Sequence, residues 1–282
     1  MLKHLYRFLH PKFQTLFLDY PVHFAPRYGH GKPPHSELYA IINAHRDEYQ
    51  DFLEQILQFK DTFFQIKDIR QTTDKAQPAW NNGFLPGLDI VSLYTMLTVH
   101  RPQKYIEVGS GNSTKVAYKA KKEQQLDTQI ISIDPQPRTE IDQLADLVIR
   151  QPFETAQYPI VEQLQANDIL FIDNSHRILP NSDSTVFFLE VLPRLKKGVI
   201  VHIHDIYLPY DYPQFMCDRF YSEQYALATF LLANPHKYRP ILPNYFISED
   251  TTLAATLAPL WKHSNTQNVE QHGGSFWLQI AE

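Results

Sequence analysis

Tyr105-Ile106-Glu107-Val108-Gly109-Ser110-Gly111-Asn112-Ser113-Thr114 is the stretch from which the rest of the chain is read. Its first half is a short apolar run ending at a glycine, the pattern of a strand buried on both faces. Gly109 and Gly111 allow a tight turn and close approach of a ligand to the backbone. Asn112 and Ser113 are good N-caps for a following helix whose apolar residues include Val116, Ala117 and Ala120. Strand, glycine turn and helix in that order predict a ligand lying across the turn.

Outward from this stretch the pattern repeats. Ile130–Ile133 is a short apolar run ending at Asp134, Leu147–Ile149 is a second, Ile169–Ile172 ends at Asp173, and Val199–Ile203 ends at His204-Asp205. Helical stretches are expected between them at 141–144, 158–165 and 182–195, with Pro193 disturbing the last, and another at 222–233. Short β-branched runs alternating with helices predict an α/β, parallel, doubly wound sheet with right-handed crossovers. Residues 238–242 read as an edge strand, because Pro240 cannot donate to a ladder. Residues 273–280 read as a last strand, which fits an antiparallel hairpin at the sheet edge.

Before the glycine turn the chain is harder to read. Residues 1–35 contain Pro11, Pro21, Pro26, Pro33 and Pro34, which prevent long helices. Aromatic residues there predict a segment that wraps the body of the protein or a second subunit, and the first ten residues suggest a short docking helix. An amphipathic helix runs from a cap at Ser36 through Leu57, and a mostly apolar helix is expected over 85–98. The polar stretch 71–83 reads as a linker or a lid. The expected division is an extension over 1–79, for packing, lid or subunit contact, and a main domain over 80–282.

The 282 residues carry 26 Lys and Arg against 31 Asp and Glu, a net charge of −5. That balance gives no electrostatic footprint for nucleic acid or an anionic membrane. Cys217 is the single cysteine, so disulfides within the chain and thiolate metal clusters are excluded, and a reducing cytoplasmic location is expected. No apolar run approaches the roughly 20 residues that span a bilayer.

Two classes of cofactor compete for the turn. A dinucleotide site wants a third small residue where this chain has Thr114, and Glu107 suits a cationic ligand group better than a pyrophosphate. Asp134, 23 residues after Gly111, can accept hydrogen bonds from ribose hydroxyls. Together these features favour an adenosine-bearing ligand.

The E-x-G-x-G-x-S stretch followed by an acidic end to the second strand resembles class I S-adenosylmethionine-dependent methyltransferases. Phe171-Ile172-Asp173-Asn174-Ser175-His176, Gly198–Asp205 and Gly274-Ser275-Phe276-Trp277 resemble the bacterial family 24 branch of that class, with Lys197-Gly198 in place of the usual double glycine. The resemblance covers roughly residues 80–282. It implies a Rossmann-like sheet of seven strands in the order 3-2-1-4-5-7-6, the seventh antiparallel. It also implies that Glu107, Gly109, Ser110 and Gly111 surround the methionine part of S-adenosylmethionine, with Asp134 on the ribose. Pro135, Gln151 and Phe153 would lie near the adenine, and Asp173 beside the cofactor.

On the acceptor side, Asp173 and Asp205 end neighbouring strands and together suit Mg²⁺, which takes oxygen ligands. Related metal-dependent O-methyltransferases place acids at these strand ends, but Ile206 stands where catechol enzymes have an asparagine, so Asn174 or the 209–215 loop would have to complete the site. His176 and His204 are general-base candidates, with His204 equally suited to orienting Asp205. Tyr207 and Tyr212 are candidate contacts for the acceptor. The resulting expectation is O-methylation of a hydroxyl on a small molecule or glycan, by histidine, Mg²⁺ or both, in a chain that associates with itself through its N-terminal segment. N-methylation, an NAD(P)-dependent oxidoreductase and a non-catalytic cofactor-binding subunit stay open as alternatives.

Overall fold

A computed structural model describes residues 6, 8–11, 13–137, 140–155 and 159–282. Seven strands form the main sheet: β1 Lys104–Val108, β2 Gln129–Ile133, β3 Leu147–Ile149, β4 Ile169–Ile172, β5 Ile200–Ile203, β6 Tyr238–Pro243 and β7 Phe276–Ile280. Their order across the sheet is β3-β2-β1-β4-β5-β7-β6. The first five run parallel, and β7 is antiparallel to both β5 and β6. This is the order that the resemblance implies.

Beyond Lys104 and Gln129 at their starts the central strands are buried, and their residues are mostly apolar on both faces, as parallel strands covered by helices require. β6 lies at the edge, and its register slips between Pro240 and Leu242, where proline supplies no N–H. Register decides what meets at the carboxyl edge. Val108 lies opposite Ile133 and Ile172, and Ile172 lies opposite Ile203. The next residues, Gly109, Asp134, Asp173 and His204, therefore line one edge of the sheet. Strand order reverses between β1 and β4, and in open α/β sheets ligands bind at such a switch point.

The helix expected over 36–57 is two: α1, Ser36–Asn43, and α2, Arg46–Leu57. His35, not Ser36, caps the first, accepting a hydrogen bond from the Leu38 N–H. Leu38, Ile42, Leu53 and Ile56 join the same apolar core as the sheet. α3, Gly87–His100, is buried along most of its length and packs on α4, Asn112–Glu123, which follows the glycine turn. The 182–195 helix departs from α geometry: Asp183–Val186 is α, Phe187–Val191 is π and Leu192–Arg194 is 3₁₀. Pro193, without an N–H and with its φ locked, accounts for the tightened end.

Residues 141–144 form turns rather than a helix, and of 158–165 only Pro159–Glu162 is helical, Tyr158 lying outside the described residues. Most of the N-terminal docking stretch, residues 1–5 and 7, also lies outside them. α5, Glu223–Ala233, follows Ser222 as expected. Three short helices between 244 and 261 had no clear signal in the sequence. Among the described residues no helix is long and apolar enough to cross a membrane.

Candidate active site

The turn after β1 is tied from below. Gly109 has φ +83°, and a Cβ there would overlap the carbonyl oxygen of Asp173. Only glycine fits that conformation and that approach. Glu107 is wholly buried, and its carboxylate accepts hydrogen bonds from the hydroxyls of Tyr105 (3.1 Å), Ser113 (3.0 Å) and Thr114. Thr114 Oγ1 in turn accepts from the Gly111 N–H at 3.1 Å. Burial pushes the Glu107 carboxyl up to about 7, against the pull of these hydrogen bonds. Glu107 thus braces the turn and lines none of the cavities described below, where a methionine contact was expected.

Above the turn lies a cavity of about 400 Å³, bounded by Gly109, Ser110, Asp134, Pro135, Phe153 and Asp173 among others. Its size suits a small-molecule ligand. Asp134 Oδ2 accepts from the Ser110 N–H at 2.8 Å and Oδ1 from the Gln136 N–H at 2.7 Å. A carboxylate has about four lone-pair sites, so acceptor capacity for a ribose remains. Gly111 and Ser110 line a smaller cavity that also touches Asp173. Gln151 is exposed and outside this lining. The glycine without room for a Cβ and the free capacity of Asp134 fit an adenosine-bearing cofactor.

A third cavity, of about 290 Å³, adjoins on the far side of Asp173 and is lined by His176, His204, Asp205, Tyr207 and Tyr221 among others. Here the tertiary fold assembles a charge cluster. His176 Nε2 stands 3.3 Å from Asp173 Oδ1 and 3.4 Å from Asp205 Oδ2. His204 Nδ1 stands 3.7 Å from Asp173 Oδ1 and 3.6 Å from Asp205 Oδ1. Each ring has a buried carboxylate behind it: Glu223 is 2.5 Å from His176 Nδ1, and Asp89 is 3.2 Å from His204 Nε2. Asp89 also accepts from the backbone N–H groups of Gly274 and Ser275 and from the Asn244 amide. His176 (φ 60°) and Asp205 (φ 54°) both occupy the left-handed region. Strain there costs on the order of 1–3 kcal/mol per residue and clusters at functional sites.

Burial disfavours charge on both histidines, but the surrounding carboxylates win. His204 is lifted to about 9 by Asp205, Asp173 and Asp89. His176 is held well above the ordinary imidazole range by Glu223, Asp173 and Asp205. Burial opposes ionisation of Asp89, yet its bonds to His204 and Asn244 bring it down to about 2. His202 points elsewhere: it stacks on Phe171 at 3.7 Å, bonds Ser275 Oγ, and is pushed well below the ordinary range by burial. Tyr207 lines the third cavity, whereas Tyr212 is buried behind it, its hydroxyl accepting from the Gln224 N–H.

The expected Mg²⁺ pair does come together, but with nitrogen between its members. Mg²⁺ takes oxygen ligands in octahedral geometry and retains water. Here His176 and His204 occupy the space between Asp173 and Asp205. Among the described residues no group of three or more His, Cys, Asp or Glu side chains is arranged to hold a metal ion. As placed, Asp173 and Asp205 do not fit Mg²⁺.

Asp89 and Glu223 are the site residues that reading the sequence missed. Asp89 left a signal, a lone carboxylate inside the apolar run Leu88–Val91, where a buried acid needs a partner. Glu223, one residue after the serine that opens α5, looked like an ordinary first-turn acid.

A doubly wound sheet in this order, a braced glycine turn and an acid at the end of β2 agree with the class I S-adenosylmethionine-dependent methyltransferases that the sequence resembles. Within that class, residues 106–206 match the family 24 model, described as a methyltransferase domain. No protein of curated function matches the chain. Among solved structures it is similar to the Podospora anserina methyltransferase PaMTH1 bound to S-adenosylhomocysteine (14% identity over 82% of this chain and 88% of that one, TM-score 0.42). It is similar also to the plantazolicin methyltransferase BpumL in complex with a pentazolic substrate analogue and S-adenosylhomocysteine (12%, 88% and 100%, 0.43). A third is the MycE methyltransferase of mycinamycin biosynthesis, in complex with Mg and S-adenosylhomocysteine (14%, 66% and 48%, 0.38). Likenesses this distant carry no argument about what this chain methylates.

Proposed function

We propose that the chain methylates a hydroxyl group, with donor and acceptor meeting at Asp173. The observation that carries this reading is the position of Asp173, which lines the cavity above the glycine turn and also the cavity holding His176, His204 and Asp205. When bound, S-adenosylmethionine supplies a methyl group on a sulfonium leaving group. Gly109 and Ser110 would let it lie close to the backbone, Asp134 would accept from its ribose, and Pro135 and Phe153 would flank its adenine.

Deprotonation of the acceptor hydroxyl accelerates in-line displacement. His204 is the proton acceptor in this reading, through Nδ1, with Asp89 fixing the ring through Nε2. Its pKa of about 9 keeps it mostly charged near neutrality, so turnover rises with pH toward that value. His176, enclosed by three carboxylates, keeps its charge and holds Asp173 and Asp205 in place. Residues 80–282 form the catalytic domain in this reading, and 1–79 an extension that packs on it.

Thermal denaturation with S-adenosylhomocysteine and with NAD tests the reading. A ligand at 100 times its Kd stabilises by about 2.7 kcal/mol. Stabilisation by NAD and not by S-adenosylhomocysteine would sink it. Turnover is then followed as S-adenosylhomocysteine release with hydroxylated acceptors.

A further inference from the structure

A fourth cavity, of about 660 Å³, lies between residues 16–28 and the face formed by Leu179 and residues 211–225. We propose that it receives the apolar body of the methyl acceptor, whose hydroxylated head occupies the cavity beside His204. The acceptor is then an amphiphile. The proposal rests on the methyl-transfer reading and adds the substrate class to it.

Three observations carry it. The first is capacity. At about 290 Å³ the catalytic cavity is at the small end for ligand sites and holds little beyond the reacting unit, whereas the neighbouring space is over twice as large. The second is continuity. Tyr221 walls both cavities, its ring stacked on His176 at a centroid distance of 4.7 Å. Met216 faces the catalytic side and the adjacent Cys217 the other. An acceptor that fills both would run along the Tyr221 ring.

The third is the lining and how it is held. Leu16, Leu18, Val22 and Phe24 form one side, and Leu179 and Phe220 the other, all six exposed. Exposed apolar surface is costly in water, and contiguous patches of it mark binding surfaces. Residues 16–28, the strap over this cavity, are nonetheless fastened. The Arg27 N–H donates to Asp211 Oδ2 at 2.8 Å, and the Asp211 N–H to the Tyr28 carbonyl at 3.1 Å. Gln214 donates to the Phe24 carbonyl, and Phe24 packs edge-to-face on Phe220 at 4.9 Å. Strap and catalytic wall thus share one segment, since Phe215 and Met216 line the catalytic side.

The test uses the full chain with S-adenosylhomocysteine present and 1-anilinonaphthalene-8-sulfonate as the fluorescent probe. One saturable probe site per chain is expected. It should be displaced by octyl β-D-glucoside below its micellar concentration and not by methyl β-D-glucoside. Leu179→Glu and Val22→Glu should each weaken probe binding at least about tenfold, with S-adenosylhomocysteine affinity unchanged as evidence of an intact fold. Probe binding that ignores both substitutions, equal displacement by the two glucosides, or a dimer in sedimentation that covers the strap and excludes the probe would each overturn the proposal. In those cases retained S-adenosylhomocysteine binding leaves methyl transfer standing. Loss of that binding in the parent chain would overturn both.

Discussion

Replacing Glu223 by leucine removes one partner of a fully buried ion pair and leaves His176 enclosed without its nearest counter-charge. Two unit charges 2.5 Å apart, as here, interact by roughly 6–7 kcal/mol at an effective dielectric of about 20. Desolvation offsets part of that in the parent protein, and breaking a buried pair from one side costs about 3–5 kcal/mol. For a chain of this length each kcal/mol moves Tm by roughly 2–4 °C, so Glu223→Leu should melt about 10 °C below the parent. Glu223→Gln keeps an acceptor for the His176 Nδ1–H and should lose only about 1–3 kcal/mol. Urea denaturation of the three proteins at pH 7, with calorimetric Tm as a second measure, gives the ranking. A Glu223→Leu chain within about 0.5 kcal/mol of the parent would mean that His176 carries no buried charge, and the account of the cluster would be wrong.

Other perturbations test the remaining parts. His204, raised to about 9, contributes stability that is complete below its unfolded value of about 6.5 and is lost as pH rises through about 9. The urea midpoint should therefore fall between pH 7 and 10, and His204→Gln should remove most of that slope. Asp89, depressed to about 2, works in the opposite sense: its contribution is complete above about 4 and is lost as pH falls through about 2. Asp134→Ala removes two charge-assisted bonds to the turn and the ribose acceptor. Titration calorimetry should show S-adenosylhomocysteine binding weakened by about 10- to 100-fold, and unchanged affinity would remove Asp134 from the site. Gly109→Ala forces a side chain against the Asp173 carbonyl at positive φ, so it should lower Tm and abolish cofactor binding together.

The sequence by itself determined the sheet. Short apolar β-branched runs, each ended by a polar residue or glycine, specify buried parallel strands through local sterics and periodicity, and Pro240 marks the edge because a missing N–H is a local property. Gly109, Asp134, Asp173 and His204 were legible as strand-end residues for the same reason. What lay beyond was the direction in which each carboxylate points. Glu107 was expected at the cofactor, yet three hydroxyls draw it beneath the turn. Asp173 and Asp205 were expected to share a cation, yet two imidazoles stand between them. Asp89 lies 115 residues from His204 and Glu223 lies 47 from His176, so no local pattern joins either pair. Only the tertiary placement of α3 and α5 brings these acids to the rings. Strand pattern is a property of neighbouring residues, whereas the charge state of the glycine turn and of the cavity beside it is set by desolvation and through-space contact, which only the tertiary structure supplies.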